Sequence, residues 1–473
     1  MVNNWAREFN FMQSKGMGKW VVLFLIVCSV FLLSAFISGV DDPVFIPPSR
    51  QRTGNADKGL NYLITGDYIK SGLPLSIFKL GAGTVNEKLL QREGINKNIP
   101  YAYNAIVAKN GEILVAPNCL QCHAQVFDNQ LIIGLGNSMI DFTANPKLNP
   151  RNYALVENML KSGRPGQYEA AAPFLTASRT VVPFLYTSTR GVNPADRLAA
   201  VLAAHRDPET FRWQESEQLV LPPNVVPTDT PPWWLLKKKN AMFYNGFGRG
   251  DFGRFLMASN LLTVNDTSES MQVDEHMPDV LAYIYSLKPP AFPYTISKVL
   301  ADKGKIIFQK NCSSCHGSYD SKESYPNLLI PESMVGTDSL LFKSNYSNPQ
   351  FVNWFNKSWF THGNHPAHLE TFDGYIAPPL DGIWITAPYL HNGSVPTLEA
   401  LLNSKLRPRY WTRDFEHPKY DYQHLGWDYQ ILDKPESKIY NTDIPGYGNY
   451  GHYYGDALTE QERKAVIEYL KTI

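Results

Sequence analysis

Two five-residue stretches limit what this chain can become. Cys119-Leu120-Gln121-Cys122-His123 and Cys312-Ser313-Ser314-Cys315-His316 both read C-x-x-C-H. Two thiols at that spacing followed by an imidazole form the attachment pattern of a c-type haem. The thiols add across the haem vinyl groups and the histidine becomes an axial iron ligand. The competing reading is a zinc site made from two C-x-x-C pairs. It leaves the histidine after each second cysteine unexplained, in a chain with only 11 histidines. The expectation is two covalently bound haem c groups and redox chemistry at iron.

The remaining totals narrow the class further. Of 5 cysteines, four sit in the motifs and Cys28 lies in an apolar N-terminal run, so none is left for a structural disulfide. A length of 473 residues suits two or three domains. Lys+Arg and Asp+Glu are both 44, which gives nucleic acid no support as a partner. The 34 prolines and 13% aromatic residues suit a haem protein with long ordered loops better than a compact helical bundle.

Residues 20–40 form an uncharged apolar run, and about 20 such residues cross a bilayer as a helix. Arg7, Lys15 and Lys19 precede it against Glu8 alone, and Asp41 and Asp42 follow. The positive-inside rule then keeps the N-terminus in the cytoplasm. The expectation is an inner-membrane anchor with the haem domains in the periplasm of a bacterial cell; the alternative is a long cleaved signal that leaves a soluble periplasmic protein.

The expected fold is mainly α, with two cytochrome c-like haem domains with long loops behind one N-terminal transmembrane helix. Residues 1–41 would be the cytoplasmic N-terminus and anchor, 42–290 the first haem domain and 291–473 the second. Helices are expected at 58–70, at 195–204 behind Asn193-Pro194, at 277–288, at 298–310 leading into Cys312, and at 458–470 with Thr459 and Glu462 as a capping box. Residues 73–110 read as irregular with a short hairpin. Residues 246–254 read as a Gly/Arg loop without the context of a nucleotide fingerprint. The two halves look like an internal duplication, each opening with C-x-x-C-H and closing with an aromatic-bearing helix.

From residue 371 onward the chain resembles a known superfamily. The run 382–398 (GIWITAPYLHNGSVPTL) is similar to the P-Y-h-H-[DN]-G-S-x-x-T-L signature of bacterial di-haem cytochrome c peroxidases. The tail 448–455 (GNYGHYYG), residues 231–240 (PPWWLLKKKN) and the spacing of the haem motifs are most like the rubber-oxygenase branch. In those relatives the N-terminal haem is the reactive one.

The resemblance also bears on axial ligands. Relatives of the peroxidase type use a methionine after the signature, but the last methionine here is Met334. His391, His417, His424 and His452 are the downstream alternatives, and resemblance to the rubber oxygenases selects His452 for the second haem. His391 reads as structural or as a contact to a haem carboxylate. No histidine lies between His123 and His205. An open or water-bound position on the first haem is therefore expected, with Met139, His205, His276, Met257 and Met271 as weaker candidates. Trp233 and Trp234 read as core aromatics or as an electron relay and pocket wall. Lys237 to Lys239, Arg249 and Arg254 read as a solvated face or as contacts to haem carboxylates. His362, His365 and His368 read as loop residues, since Pro366 breaks any helix there.

The function these readings imply is a di-haem c oxidoreductase. The first haem would activate peroxide or dioxygen, and the second, on His316 and His452, would transfer or store electrons. A redox protein or a quinone-linked chain would be the donor. A calcium ion is compatible with the sequence, which does not call for one. The alternative from another class is a non-catalytic electron-transfer cytochrome.

Overall fold

Asn55 starts the first helix of the folded body by accepting the Lys58 amide at 3.0 Å on its side chain. This helix, Ala56–Thr65, buries Leu63 and Ile64 against a longer helix, Thr267–Ser286. The two approach closely because Gly59 has no side chain; a Cβ there would meet the Asp279 carbonyl oxygen at 1.9 Å. The computed structural model describes residues 42–82, 89–143, 150–347 and 349–473.

The long helix begins ten residues before the 277–288 stretch expected from sequence. Pro278 reads as a helix start, yet it lies inside. Proline removes one backbone donor and leaves the carbonyl four residues earlier without its partner. That carbonyl belongs to Asp274, and it accepts Arg52 Nη1 at 3.1 Å. A side chain from a distant segment thus satisfies the defect, which local sequence does not show. Two further helices, Pro150–Gly163 and Pro165–Val181, pack on one another between the first motif and residue 195.

The mainly α expectation is corrected: the fold is mixed α/β. Among the described residues there are three three-stranded and three two-stranded sheets, all antiparallel. Leu73–Pro74, Ile113–Pro117 and Tyr103–Val107 form one of them, where sequence suggested irregular structure with a hairpin. Leu328–Pro331 pairs with Val44–Phe45 on one side and Gly374–Ile376 on the other. These strands are two to five residues long, too short to display the alternation that announces a strand. The 20–40 run lies outside the described residues. Among the described residues no helix is long and apolar enough to cross a membrane, so the transmembrane part of the expected fold finds no support here.

Among the described residues the two largest of six hydrophobic clusters have Cys119 and Cys312, respectively, packed against them. The first gathers Leu63, Leu114, Leu120, Leu175, Val201 and Trp233. The second gathers Phe127, Trp234, Phe308, Trp384, Tyr389 and Val466. Phe308 lies on Lys298–Asn311, the helix that enters the second motif. The last helix, Glu460–Leu470, packs on it, with Gly304 so close that a Cβ would sit 1.8 Å from the Ala465 carbonyl oxygen. Its start carries the expected capping box, Thr459 and Glu462 each satisfying the other's backbone amide.

Candidate functional site

At the first motif the chain leaves Ile113–Pro117 and turns at Asn118. Asn118 is buried and fully used: Nδ2 donates to Tyr101 O at 2.7 Å and Asn104 Oδ1 at 2.8 Å. Its Oδ1 accepts the Leu120 amide at 2.9 Å, which starts one turn of helix, Leu120–His123. The His123 amide closes on Cys119 O at 3.0 Å. Residues three and four apart share a helix face, so Cys119, Cys122 and His123 point to one side. A hairpin, Ala124–Phe127 with Gln130–Ile133, then folds back. Gly134 N donates to His123 O, and Trp233 N to Gly134 O, each at 2.8 Å. This chain of bonds lays the Trp233 indole parallel to the His123 imidazole, 4.5 Å between centroids and 16° between planes. The buried Nδ1 of His123 has no hydrogen-bond partner.

At the second motif, Lys298–Asn311 runs directly into the turn Ser313–His316. Gly317 leaves it at φ +83°, against the Ser324 carbonyl, where a Cβ would lie 2.1 Å from the oxygen. His316 Nδ1 sits 2.8 Å from Pro378 O. A carbonyl only accepts, so the proton is on Nδ1 and the Nε2 lone pair is free for a metal. Across from it stands His452, with ring centroids 6.1 Å apart and planes inclined by 64°. Two imidazoles on opposite faces of one metal, with bonds of about 2.0–2.1 Å, hold their centroids roughly 6 Å apart.

Both motifs open onto one cavity of about 1070 Å³. Cys119, Cys122, His123, Cys312, Cys315, His316 and His452 all line it, amid mostly apolar side chains. Burial lowers the pKa of His123 and His452 to about 3 and also lowers that of His316, which favours the neutral imidazole that metal binding requires. The four motif cysteines are free. Among the described residues no group of three or more His, Cys, Asp or Glu side chains converges as a metal cage, so the two C-x-x-C pairs do not build a shared zinc site. The arrangement fits a planar macrocycle: thiols at one edge, a neutral imidazole on its face, apolar walls.

Residues 374–412 match the family described as RoxA-like, cytochrome c-like. A cytochrome c-like domain implies haem c, which agrees with the C-x-x-C-H motifs and supports the rubber-oxygenase side of the resemblance. Two proteins of Sinorhizobium fredii (strain NBRC 101917 / NGR234) are also similar. The uncharacterized protein y4iM is 26% identical over 319 residues, which cover 57% of this chain and 69% of that protein. The uncharacterized protein y4iJ is 39% identical over 123 residues, 24% of this chain and only 20% of its own length.

Of the remaining histidine and methionine candidates, His391 alone lines the cavity. His205 is buried at the end of Ala195–Ala204, bonded through Nδ1 to Gln214 O at 2.9 Å and stacked on Trp213. His276 is exposed and stacks on Tyr62. His391 stacks on Tyr375 and sits 3.1 Å from its hydroxyl. His424 bonds Asp421 at 2.6 Å, and His417 lies 3.7 Å from Asp414. His362 and His365 are exposed, and His368 meets Glu370 at 3.0 Å from a short strand. Met257 is in the first core, Met139 packs against the second, and Met271 is exposed. Among the cations, Lys238 pairs with Glu323 and Asp381, Arg249 with Glu370, and Arg254 binds three carbonyls. Lys239 alone of this group lines the cavity, with Phe243 O at 3.3 Å as its contact, and burial lowers it to about 8. An ammonium so placed suits a haem carboxylate. Sequence named it only as one of three consecutive lysines; nothing in the run itself distinguishes which one turns inward.

Proposed function

We propose that the protein is a di-haem c oxidoreductase in which two chemically unequal haems share one apolar cavity, one in the 42–290 part and one in the 291–473 part. A covalently held haem supplies one-electron chemistry at iron and, where one face is open, activation of peroxide or dioxygen. Cys119, Cys122 and His123 hold the first, and Cys312, Cys315 and His316 the second. His316 is oriented by the Pro378 carbonyl and completed by His452, which suits an electron carrier, since bis-histidine ligation favours the ferric state. His123 is packed by Trp233, while His205, His276 and His391 stack on Trp213, Tyr62 and Tyr375 and His316 pairs with His452. The apolar walls exclude water, and Lys239 offers a cation to a haem carboxylate. Trp233 in one core and Trp234 in the next suit a path for electrons between them.

The observation that carries this reading is the contrast between the 6.1 Å His316–His452 pair and the His123–Trp233 stack. The match of residues 374–412 to the RoxA-like, cytochrome c-like family supports it, and we extend the proposal to membership of the di-haem peroxidase superfamily, a periplasmic location and a redox protein or quinone-linked donor. The test is to titrate the purified protein with peroxide, and its reduced form with dioxygen, while following the absorption spectrum. Rapid change in half of the haem absorption supports the oxidoreductase. Complete indifference of both haems would leave the electron-transfer cytochrome in its place.

A further inference from the structure

The segment that matches the cytochrome c-like family contains none of the expected haem ligands. Residues 374–412 include neither a C-x-x-C-H motif nor His452. What they do contain is the set of side chains that grips the loop carrying His452. We infer that Asn392 and Arg407, together with Asp338, are positioning residues that hold His452 in its axial place; this rests on the reading of His452 as the second ligand.

The loop 446–452 needs such a grip. It lies outside helix and strand, and Gly446, Gly448 and Gly451 lower its own stiffness. His452 itself has φ +50°, a conformation that a non-glycine residue keeps only when its surroundings impose it. Those surroundings are specific. Asn392, with no exposed surface, donates through Nδ2 to Gly446 O at 2.9 Å and Gly448 O at 3.0 Å. The buried carboxylate of Asp338 takes the amides of the same two glycines on Oδ2, at 3.0 and 3.1 Å. Tyr375, also within the matched segment, donates its hydroxyl to Asp338 O at 2.6 Å.

Arg407 completes the bracket. Its Nη1 donates to Asn449 O and Gly451 O, both at 2.7 Å, and its Nη2 to His452 O at 3.3 Å. The other side of the guanidinium bonds Ala400 O and Leu401 O, which ties the loop to the helix Leu398–Leu402. The His452 amide donates to Val335 O at 2.7 Å. Every backbone group in these contacts fixes where the loop runs, and none touches the imidazole ring. The ring position therefore depends on a bracket whose members lie from 42 to 110 residues away in sequence from the backbone groups they hold.

The experiment uses the full-length haem-loaded protein. Arg407→Lys, Arg407→Met, Asn392→Ser and His452→Gly are compared by the ferric low-spin signal and by carbon monoxide uptake after reduction. Removing an outer partner of a metal ligand typically costs ten- to a hundredfold in metal affinity or activity. Arg407→Met and Asn392→Ser should therefore open the second haem to carbon monoxide roughly tenfold or more faster than the parent, with Arg407→Lys in between. Free imidazole should restore the low-spin signal in each, which a collapsed fold would not allow. If Arg407→Met does not accumulate, Arg407→Lys, which keeps charge and bulk but not the fork, carries the test. The inference is overturned if His452→Gly opens the haem while the Arg407 and Asn392 variants bind carbon monoxide at the parent rate. If His452→Gly itself changes nothing, the ligand reading falls first and the bracket with it.

Discussion

His123 and His316 close motifs of the same pattern on one-turn helices, each amide bonded to the first cysteine's carbonyl at 3.0 Å, yet the surroundings of their rings differ. His316 has its Nδ1 on a carbonyl and another imidazole facing it. His123 has an unpartnered Nδ1 and an indole lying flat against its ring. One imidazole is anchored by hydrogen bonding and the other by stacking. The lesson is that C-x-x-C-H sets where a haem attaches, while the residues outside the motif set what it does. Under the proposed function, the bonded site with a facing imidazole is the one suited to passing electrons and the stacked site the one suited to meeting a reactant.

The largest way to probe that contrast is to remove one attachment site at a time. Cys312→Ala with Cys315→Ala should halve the covalent haem measured by pyridine haemochrome and remove the low-spin species. Cys119→Ala with Cys122→Ala should remove the reactive species instead. Equal spectral losses from the two would make the sites equivalent. Next in size is His452→Ala, which should convert the second haem to a carbon monoxide-binding form and raise its potential in a redox titration. The same change at His391 should leave ligation intact.

Trp233→Ala comes third. Truncating a buried tryptophan costs about 3–5 kcal/mol of stability, visible as a lowered denaturation midpoint. Its specific mark should be altered ligand binding at the first haem, which Trp234→Ala, bonded instead to Asp381 O, should not reproduce. The smallest effect is expected from Lys239→Met. It should shift the midpoint potential of the neighbouring haem downward while leaving haem content unchanged, and an unchanged potential would remove Lys239 from the account.

Much of the site was legible before any fold. Both motifs, the helix that delivers Cys312 and the capped final helix follow from residue types and spacing, and the resemblance singles out His452, whose ring centroid lies 6.1 Å from that of His316. The helix Ala195–Ala204 was equally plain, with the Asn193 side chain taking the Ala195 amide at 3.0 Å. What escaped depends on partners distant in sequence. Thr267–Ser286 hides its start behind Pro278, whose cost Arg52 offsets from more than two hundred residues away. The short strands carry no periodicity of their own. Asn392 and Arg407 sat inside or beside a recognised signature without a role, because their targets are backbone carbonyls, which no side-chain pattern marks.

The central claim is that the two haems are unequal, and electron paramagnetic resonance of the fully oxidised protein measures this directly. The account predicts two species in equal amount: one low-spin with bis-imidazole character, unaffected by added ligands, and one that responds to cyanide or peroxide. Two inert low-spin species, or two that respond alike, would contradict it.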